Sequence, residues 1–310
     1  MAQFRVGCVP YVNARPLVAA FDQPNEFVEV VYDVPSKLPA LLDAGEVDAI
    51  LVSSIELLRR DDLLPVAEVG IMSYGPVKSV RMLSKVPLAE IKTLALDQSS
   101  LTSNILAQII LAEQGVFPKT ETLSPDEQNM LANYDACVLI GDKGFEADGT
   151  GLVDIDLGEA WTDMTGLPFV WALWLGKKDR RLDAQKLHSI LYLAYKASGL
   201  DSVHRRLNRE SGAEERGMEK PEFQEKLDGW IDEGAGRRAT VFKSAVERSK
   251  WSYEQVEEYL THGVRFQLFK SQRGLAKFRE LIEKHDLCNL SAPERNYFEL
   301  QRQIFDLIPD

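Results

Sequence analysis

The feature that most constrains this chain is a regular change of apolar period along its first fifty residues. Between Phe4 and Ser53 it reads FRVGCV, RPLVAAF, VEVVYDV, SKLPALLDAGE and VDAILVSS, so short β-branched runs alternate with stretches of helical spacing. Strands separated by helices pair in parallel, because a helical crossover returns the chain to the same end of the sheet. Ser36 and Gly45 are read as the cap and the stop of the helix carrying Leu38, Leu41 and Leu42.

Two strand-like runs flank Tyr74-Gly75-Pro76, and the alternation then restarts. TLALD reads as a strand, SSLTSNILAQIILAEQG as a long helix, SPDEQNMLANY as a helix capped by Ser124, and DACVLIGD as a strand. LVDIDLGEAW and TGLPFVWALWLGK complete this second α/β unit. Beyond Lys178 the spacing is helical, through Leu182, Leu187, Ile190, Leu191, Ala194 and Tyr195, then Trp251 to Leu260 and Leu275 to Ile282. VRFQLF at Val264 is the one strand-like interruption, and 209–238, rich in Glu and Gly, reads as a surface loop or insertion. A chain that leaves one lobe, builds another and returns needs two short crossings, expected near Met82 and Leu175. The expected architecture is α/β and two-lobed, a periplasmic-binding-protein-like (type II) fold with a cleft between the lobes and a helical C-terminal extension. Lobe one takes 1–82 plus 176–310 and lobe two takes 83–175.

Charge narrows the ligands. Against 36 basic residues stand 48 acidic ones, a net charge of -12, which disfavours nucleic acid and anionic lipid surfaces. Arg59-Arg60, Lys177-Lys178, Arg180-Arg181 and Arg237-Arg238 are short pairs among acids and read as solvated faces. No apolar run approaches the roughly 20 residues that cross a bilayer. A small anionic ligand must therefore be gripped by local donors. Cys8, Cys137 and Cys288 have no pairing or zinc-ligand spacing, which fits a reducing compartment. The N-terminal stretch MAQFRVGCVPYVNARPL lacks the apolar segment of an export signal, so the expected location is the cytoplasm.

None of the common nucleotide, zinc-protease or nucleophile-elbow motifs is present. His188, His204, His262 and His285 all fall in the helical part and are read as residues of helix surfaces and ends. Polar residues do gather just past strand ends, where parallel sheets present their crevice. Tyr11 and Asn13 follow the first strand, and Asn13 also suits the cap of the helix opened by Arg15-Pro16. Ser53 and Ser54 end the third strand, where capping is an equal reading, and Ser79 follows a Gly-Pro turn at a crossing. After Asp97 come Ser99, Ser100, Thr102 and Ser103. One cap needs one of these hydroxyls, and the surplus, with the free amides expected of the helix start, makes a carboxylate or phosphate cradle. Gly141-Asp142 closes another strand, Asp142 being a candidate base, and Trp161 is a candidate ring contact. Trp171 and Trp174 are read as packing residues.

Taken together, VGCVPYVNARPL, VPSKLPALLDAGEVDAILVSSIELL, SYGPVKSV, LDQSSLTS, VLIGDKG and DLGEAWTDMTGLPFVWALW resemble, in order and spacing, the chorismate dehydratases of the futalosine route to menaquinone, the MqnA family. The resemblance runs from Val6 to Gly176 and returns more weakly in EEYLTHGVRFQLF and GLAKFRELIEK; 209–238, Arg15 and the tail from Asn289 do not match. It implies a solute-binding fold turned to catalysis, converting chorismate to 3-enolpyruvylbenzoate and water with neither metal nor organic cofactor. It further implies that the Ser99 to Ser103 cluster holds one carboxylate, while Asn13 and Ser79 place the enolpyruvyl arm and the leaving hydroxyl. The substrate's own side-chain carboxylate would take the proton, with Asp142 as the other candidate base. The alternatives are a sister enzyme forming 1,4-dihydroxy-6-naphthoate and a non-catalytic solute receptor.

Overall fold

The computed structural model describes residues 2–23, 25–179, 183–201, 203–204, 234–268 and 271–290. Strands β1 (Phe4–Cys8), β2 (Val28–Tyr32) and β3 (Ala49–Ser53) alternate with helices α1 (Arg15–Val18) and α2 (Leu38–Ala44). Helix α3 (Ile55–Arg59) leads to β4 (Leu63–Ser73). The second unit holds β5 (Val80–Ser84), β6 (Thr93–Asp97), α4 (Leu101–Ala112), β7 (Lys119–Leu123), α5 (Glu127–Asn133), β8 (Ala136–Ile140), α6 (Gly141–Glu146), β9 (Val153–Asp156) and α7 (Leu157–Thr165). Strand β10 (Phe169–Lys177) returns to the first sheet. Helices α8 (Ala184–Ala197), α9 (Gly234–Glu247), α10 (Tyr253–Glu258) and α11 (Ser271–His285), with a short β11 (Arg265–Gln267), complete the described chain.

Six strands form one sheet in the order β11-β4-β10-β3-β1-β2, and five form the other as β7-β6-β8-β5-β9. Each contains a parallel trio whose first strand lies between the second and the third: β1 between β2 and β3, β6 between β7 and β8. A trio wound in this order has its topological switch point beside the central strand, and its crevice opens at the carboxyl ends of that strand and its neighbour. The remaining strands are antiparallel, β10 to β3 and β4, and β5 to β8 and β9, so both sheets are mixed.

The sheets exchange chain at residues 74–79 and 157–168. Met82 and Leu175, where the crossings were expected, stand inside β5 and β10. The long strands β4 and β10 carry the apolar pattern right up to the crossings, so periodicity alone puts the boundary too late. The local signals lie earlier, in Gly75-Pro76 and Pro168.

Helix ends show what sets the local structure. Gly45 takes φ 77° and stops α2, as its lack of a Cβ allows. Ser36 is not the cap there: Lys37 precedes the first turn, with no side-chain cap bond. Asp126, not Ser124, caps α5 by accepting from the Asn129 amide. Leu182 and residues 209–233 lie outside the described residues; 234–238 open α9, where a loop was expected.

The C-terminal helix braces the second crossing. Gly274 of α11 lies flat against Pro168, so a Cβ there would overlap the Pro168 carbonyl oxygen. Phe278 packs edge-on against Trp161 and Phe169, with centroids at 6.2 and 5.0 Å. Among the described residues no helix is long and apolar enough to cross a membrane.

Two histidines expected at the surface are buried instead. His188 turns inward from α8, where its Nδ1 accepts from the Glu68 amide of β4 at 3.2 Å. His204 lies between the Tyr195 hydroxyl and the Leu260 carbonyl, each at 3.0 Å. Burial lowers their pKa values to about 4 and about 3. An unfolded histidine titrates near ~6.5, so between that pH and the folded values the unfolded chain binds more protons. Stability is therefore complete above pH ~6.5 and is lost as pH falls toward 4. The melting temperature should drop across that window, and His188→Gln should flatten the dependence; a melting temperature independent of pH there would contradict the burial.

Candidate active site

Between the sheets lies a pocket that is partly open to solvent and walled by residues of both. Its walls are the strand ends named by the switch-point rule. Val9, Tyr11 and Asn13 follow β1, Ser53 ends β3, Ser99 and Ser100 follow β6, and Ile140 and Gly141 end β8. Ser79 and Val77 come from the first crossing, Trp171 and Ala172 from β10, and Tyr259 from the C-terminal helices. Apart from hydroxyls, one amide and backbone groups the lining is apolar, and among the described residues no charged side chain belongs to it.

The serine-rich turn is built on a buried carboxylate. Asp97 Oδ1 accepts from the Ser99 amide at 2.8 Å and Oδ2 from the Ile140 amide at 3.3 Å, tying the ends of β6 and β8 together. Burial raises its pKa, and the Ser99 and Ile140 hydrogen bonds oppose that rise. Asn104 closes the turn by exchanging two bonds with the Asp97 backbone, at 3.1 and 2.8 Å. Ser100 then caps α4: its Oγ accepts from the Ser103 amide and donates to Ser103 Oγ. Thr102 turns away from the pocket and meets Ser53 Oγ at 2.5 Å, also accepting from the Ile55 amide, so it joins the two lobes. Ser99, Ser100 and Ser103 remain at the pocket wall, at the start of a twelve-residue helix; their amides are taken by the Asp97 carboxylate, the Asp97 carbonyl and Ser100 Oγ, so the turn presents its hydroxyls to the pocket.

Ser79 is held through its neighbours. Lys78 adopts φ 64°, a left-handed conformation unusual for a side chain with a Cβ. It persists because Asp156 holds both crossings at once. Its carboxylate accepts from the amides of Val77 (2.9 Å) and Lys78 (2.5 Å), and from Gly158 and Glu159 at the start of α7. Ser79 Oγ lies 2.9 Å from the Tyr259 hydroxyl. Asn13 stands in a 3-10 turn and caps nothing; its Nδ2 donates to the Tyr259 hydroxyl at 3.5 Å, and among the described residues its buried Oδ1 has no hydrogen-bond partner. Gly141 takes φ 58°, a turn only glycine makes readily.

Other expected positions stand apart from this lining. Ser54 is fully buried and donates to the Val170 carbonyl at 2.7 Å, the role of a core hydroxyl. Asp142 lies one residue beyond the lining, and burial, then the neighbouring Glu146 carboxylate, push its pKa up. Trp161 is packed in the aromatic cluster of the second crossing, its Nε1 donating to the Pro168 carbonyl at 3.3 Å. Trp171, assigned to packing from the sequence, reaches the pocket instead, with Nε1 donating to Ser73 Oγ at 3.0 Å. Tyr259 was not singled out, though it lies in EEYLTHGV, and its 246-residue separation from Asn13 leaves no local signal.

Residues 4–284 match a family model described as menaquinone biosynthesis. The chain belongs to the menaquinone-biosynthesis family. Two relatives bear the name chorismate dehydratase. That of Thermus thermophilus is 31% identical over 199 residues, covering 58% of this chain and 72% of the relative. That of Campylobacter jejuni is 32% identical over 176 residues, covering 54% of this chain and 64%, just under two thirds, of the relative. Among solved structures, a ligand-binding component of an ABC-type import system from Staphylococcus aureus, crystallised with zinc, aligns with TM-score 0.59 at 14% identity, covering 96% of this chain and 98% of that one. The periplasmic aliphatic sulphonate binding protein of Escherichia coli aligns with TM-score 0.58 at 14% identity over 94% of each chain. This family member therefore has the two-lobed periplasmic-binding-protein-like fold, with its pocket in the cleft.

Proposed function

We propose that the chain is a carbon–oxygen lyase that dehydrates chorismate to 3-[(1-carboxyvinyl)oxy]benzoate and water. The observation that carries this is a pocket of hydroxyls and one side-chain amide at the switch points of both sheets, lined, among the described residues, by no charged side chain. Its relatives from Thermus thermophilus and Campylobacter jejuni bear the name of this activity. Chorismate carries two carboxylates, and the Ser99 to Ser103 helix start offers donors that strengthen as charge develops on the ring carboxylate. Asn13 and Ser79 place the leaving hydroxyl, and Trp171 presents an apolar ring surface to the diene.

The chemistry asks little of a protein base. The proton at the ether-bearing carbon is acidified by conjugation with the ring carboxylate, and loss of hydroxide from the neighbouring carbon makes a benzene ring. Tyr259, with its pKa pushed up to about 12, keeps its proton, and burial raises that of Tyr11. The side-chain carboxylate of the substrate therefore takes the ring proton, held in reach by the pocket. Asp142→Asn should then keep kcat within about threefold of wild type, since Asp142 is outside the lining; a total loss with binding intact would make it the base. We place the reaction in the cytoplasm, where the three unpaired cysteines stay reduced.

Incubation with chorismate tests the reading. A new benzenoid absorbance and a product lighter by one water are expected, without added metal or nucleotide. Chorismate bound tightly but recovered unchanged would make the protein a receptor.

A further inference from the structure

Asn13 and Ser79 share a third partner that this chemistry leaves unused. Tyr259 opens the π-turn Tyr259–Gly263 after α10, a type of insertion that recurs at functional positions. Its ring is buried, edge-on to Trp251 at 5.0 Å and to Phe145 at 6.4 Å. The turn is tight, since a Cβ at Gly263 would come within 2.9 Å of the Tyr259 ring.

The proton count around its hydroxyl is decisive. An amide nitrogen only donates, so Asn13 Nδ2 occupies one lone pair of the phenol oxygen. The phenol's own proton needs an acceptor, because a buried donor left unpaired is costly. Among the described residues Ser79 Oγ is the acceptor in range, at 2.9 Å. If the phenol donates there, the serine's proton is free to turn into the pocket that its side chain lines. Asn13, which lines the same pocket, has in its buried Oδ1 an acceptor with no hydrogen-bond partner among the described residues.

We propose that Tyr259 is a positioning residue: by donating to Ser79 Oγ and accepting from Asn13 Nδ2, it aims the Ser79 proton and Asn13 Oδ1 at one ligand hydroxyl. This rests on the reading of the pocket as a chorismate site. The leaving hydroxyl donates to Asn13 Oδ1 and accepts from Ser79. As its carbon–oxygen bond breaks, the departing oxygen gains charge and both bonds in the Tyr259–Ser79–oxygen chain tighten. The electron pair of the broken carbon–hydrogen bond becomes the new ring double bond. The proton taken by the substrate's side-chain carboxylate finally joins the departing hydroxide to make water, so the protein ends unchanged.

Tyr259→Phe removes only the phenol oxygen and keeps the ring packing. Steady-state kinetics with chorismate should show kcat lowered roughly 10- to 100-fold and KM within about threefold of wild type. In a Ser79→Ala background the same substitution should change kcat by less than about twofold, because there is no hydroxyl left to aim. Should Tyr259→Phe fold poorly, 3-fluorotyrosine at position 259 keeps the hydroxyl while making it a stronger donor, and kcat should change with it. Normal kcat in Tyr259→Phe, losses that multiply with those of Ser79→Ala, or a rate indifferent to fluorination would overturn the proposal while leaving the chorismate reading intact. A fully active Ser79→Ala would remove both Ser79 and Tyr259 from the chemistry, whereas failure of the chorismate reading would show as no turnover by the wild-type protein.

Discussion

Asn13→Ala lowers kcat on chorismate by about 10²- to 10³-fold, the scale seen when a preorganised group that meets developing charge is removed. The expectation rests on one atom. Asn13 Oδ1 is buried at the pocket wall without a partner among the described residues, and a buried acceptor is tolerated at a functional site when a ligand donor completes it. The side chain contributes little to the fold, since it caps no helix and its one bond, to Tyr259, is long at 3.5 Å. The variant should therefore melt near the wild-type temperature while turnover collapses. Asn13→Asp has the same shape but adds a negative charge facing a dianion, and it should be equally inactive. Unchanged turnover in Asn13→Ala would remove this residue from the chemistry, and a loss confined to KM would leave it a binding role alone.

Gly144→Ala should damage stability and rate together. Gly144 in α6 lies so close to the first crossing that a Cβ would overlap the Ser79 carbonyl oxygen and stand 2.8 Å from that of Leu139. Both obstacles are backbone, so neither can swing aside. Overpacking of this kind costs about 1–3 kcal/mol, and a chain of this size should melt about 2–5 °C lower. Relief comes most directly by pushing the crossing outward, which moves Ser79 from Tyr259. A kcat loss of at least about tenfold should accompany the fall in melting temperature, because sub-ångström placement governs such steps. A variant with wild-type melting and turnover would mean that α6 and the crossing separate freely, contrary to the packing described.

Much of the architecture is legible in the sequence because its signals are local. The change of period from strand to helix marks both parallel trios, and the switch-point rule then points to the residues after β1, β3, β6 and β8. Gly45 reads directly as a helix end, and a cap within the Ser99 to Ser103 run is legible too, though which hydroxyl takes it, Ser100, is not. The tryptophans are another matter. Nearly every residue of β10 is buried, so its sequence carries no alternation to tell the cleft face from the core face, and Trp171 and Trp161 exchange their expected places. Tyr259 reaches Asn13 and Ser79 through tertiary packing, which spacing along the chain does not encode. The inward turn of His188 likewise depends on an amide of β4 more than a hundred residues away, whose hydrogen bond the ring accepts.

The central claim is that neutral donors from both lobes, with no cationic side chain, grip a doubly ionised ring. A crystal structure of the inactive Asn13→Ala protein with chorismate tests it most directly. The account predicts the ring against Trp171, one carboxylate on the serine hydroxyls at the start of α4, and the ring hydroxyl beside Ser79. Chorismate seated outside the cleft, or a carboxylate paired with a lysine or arginine, would contradict it.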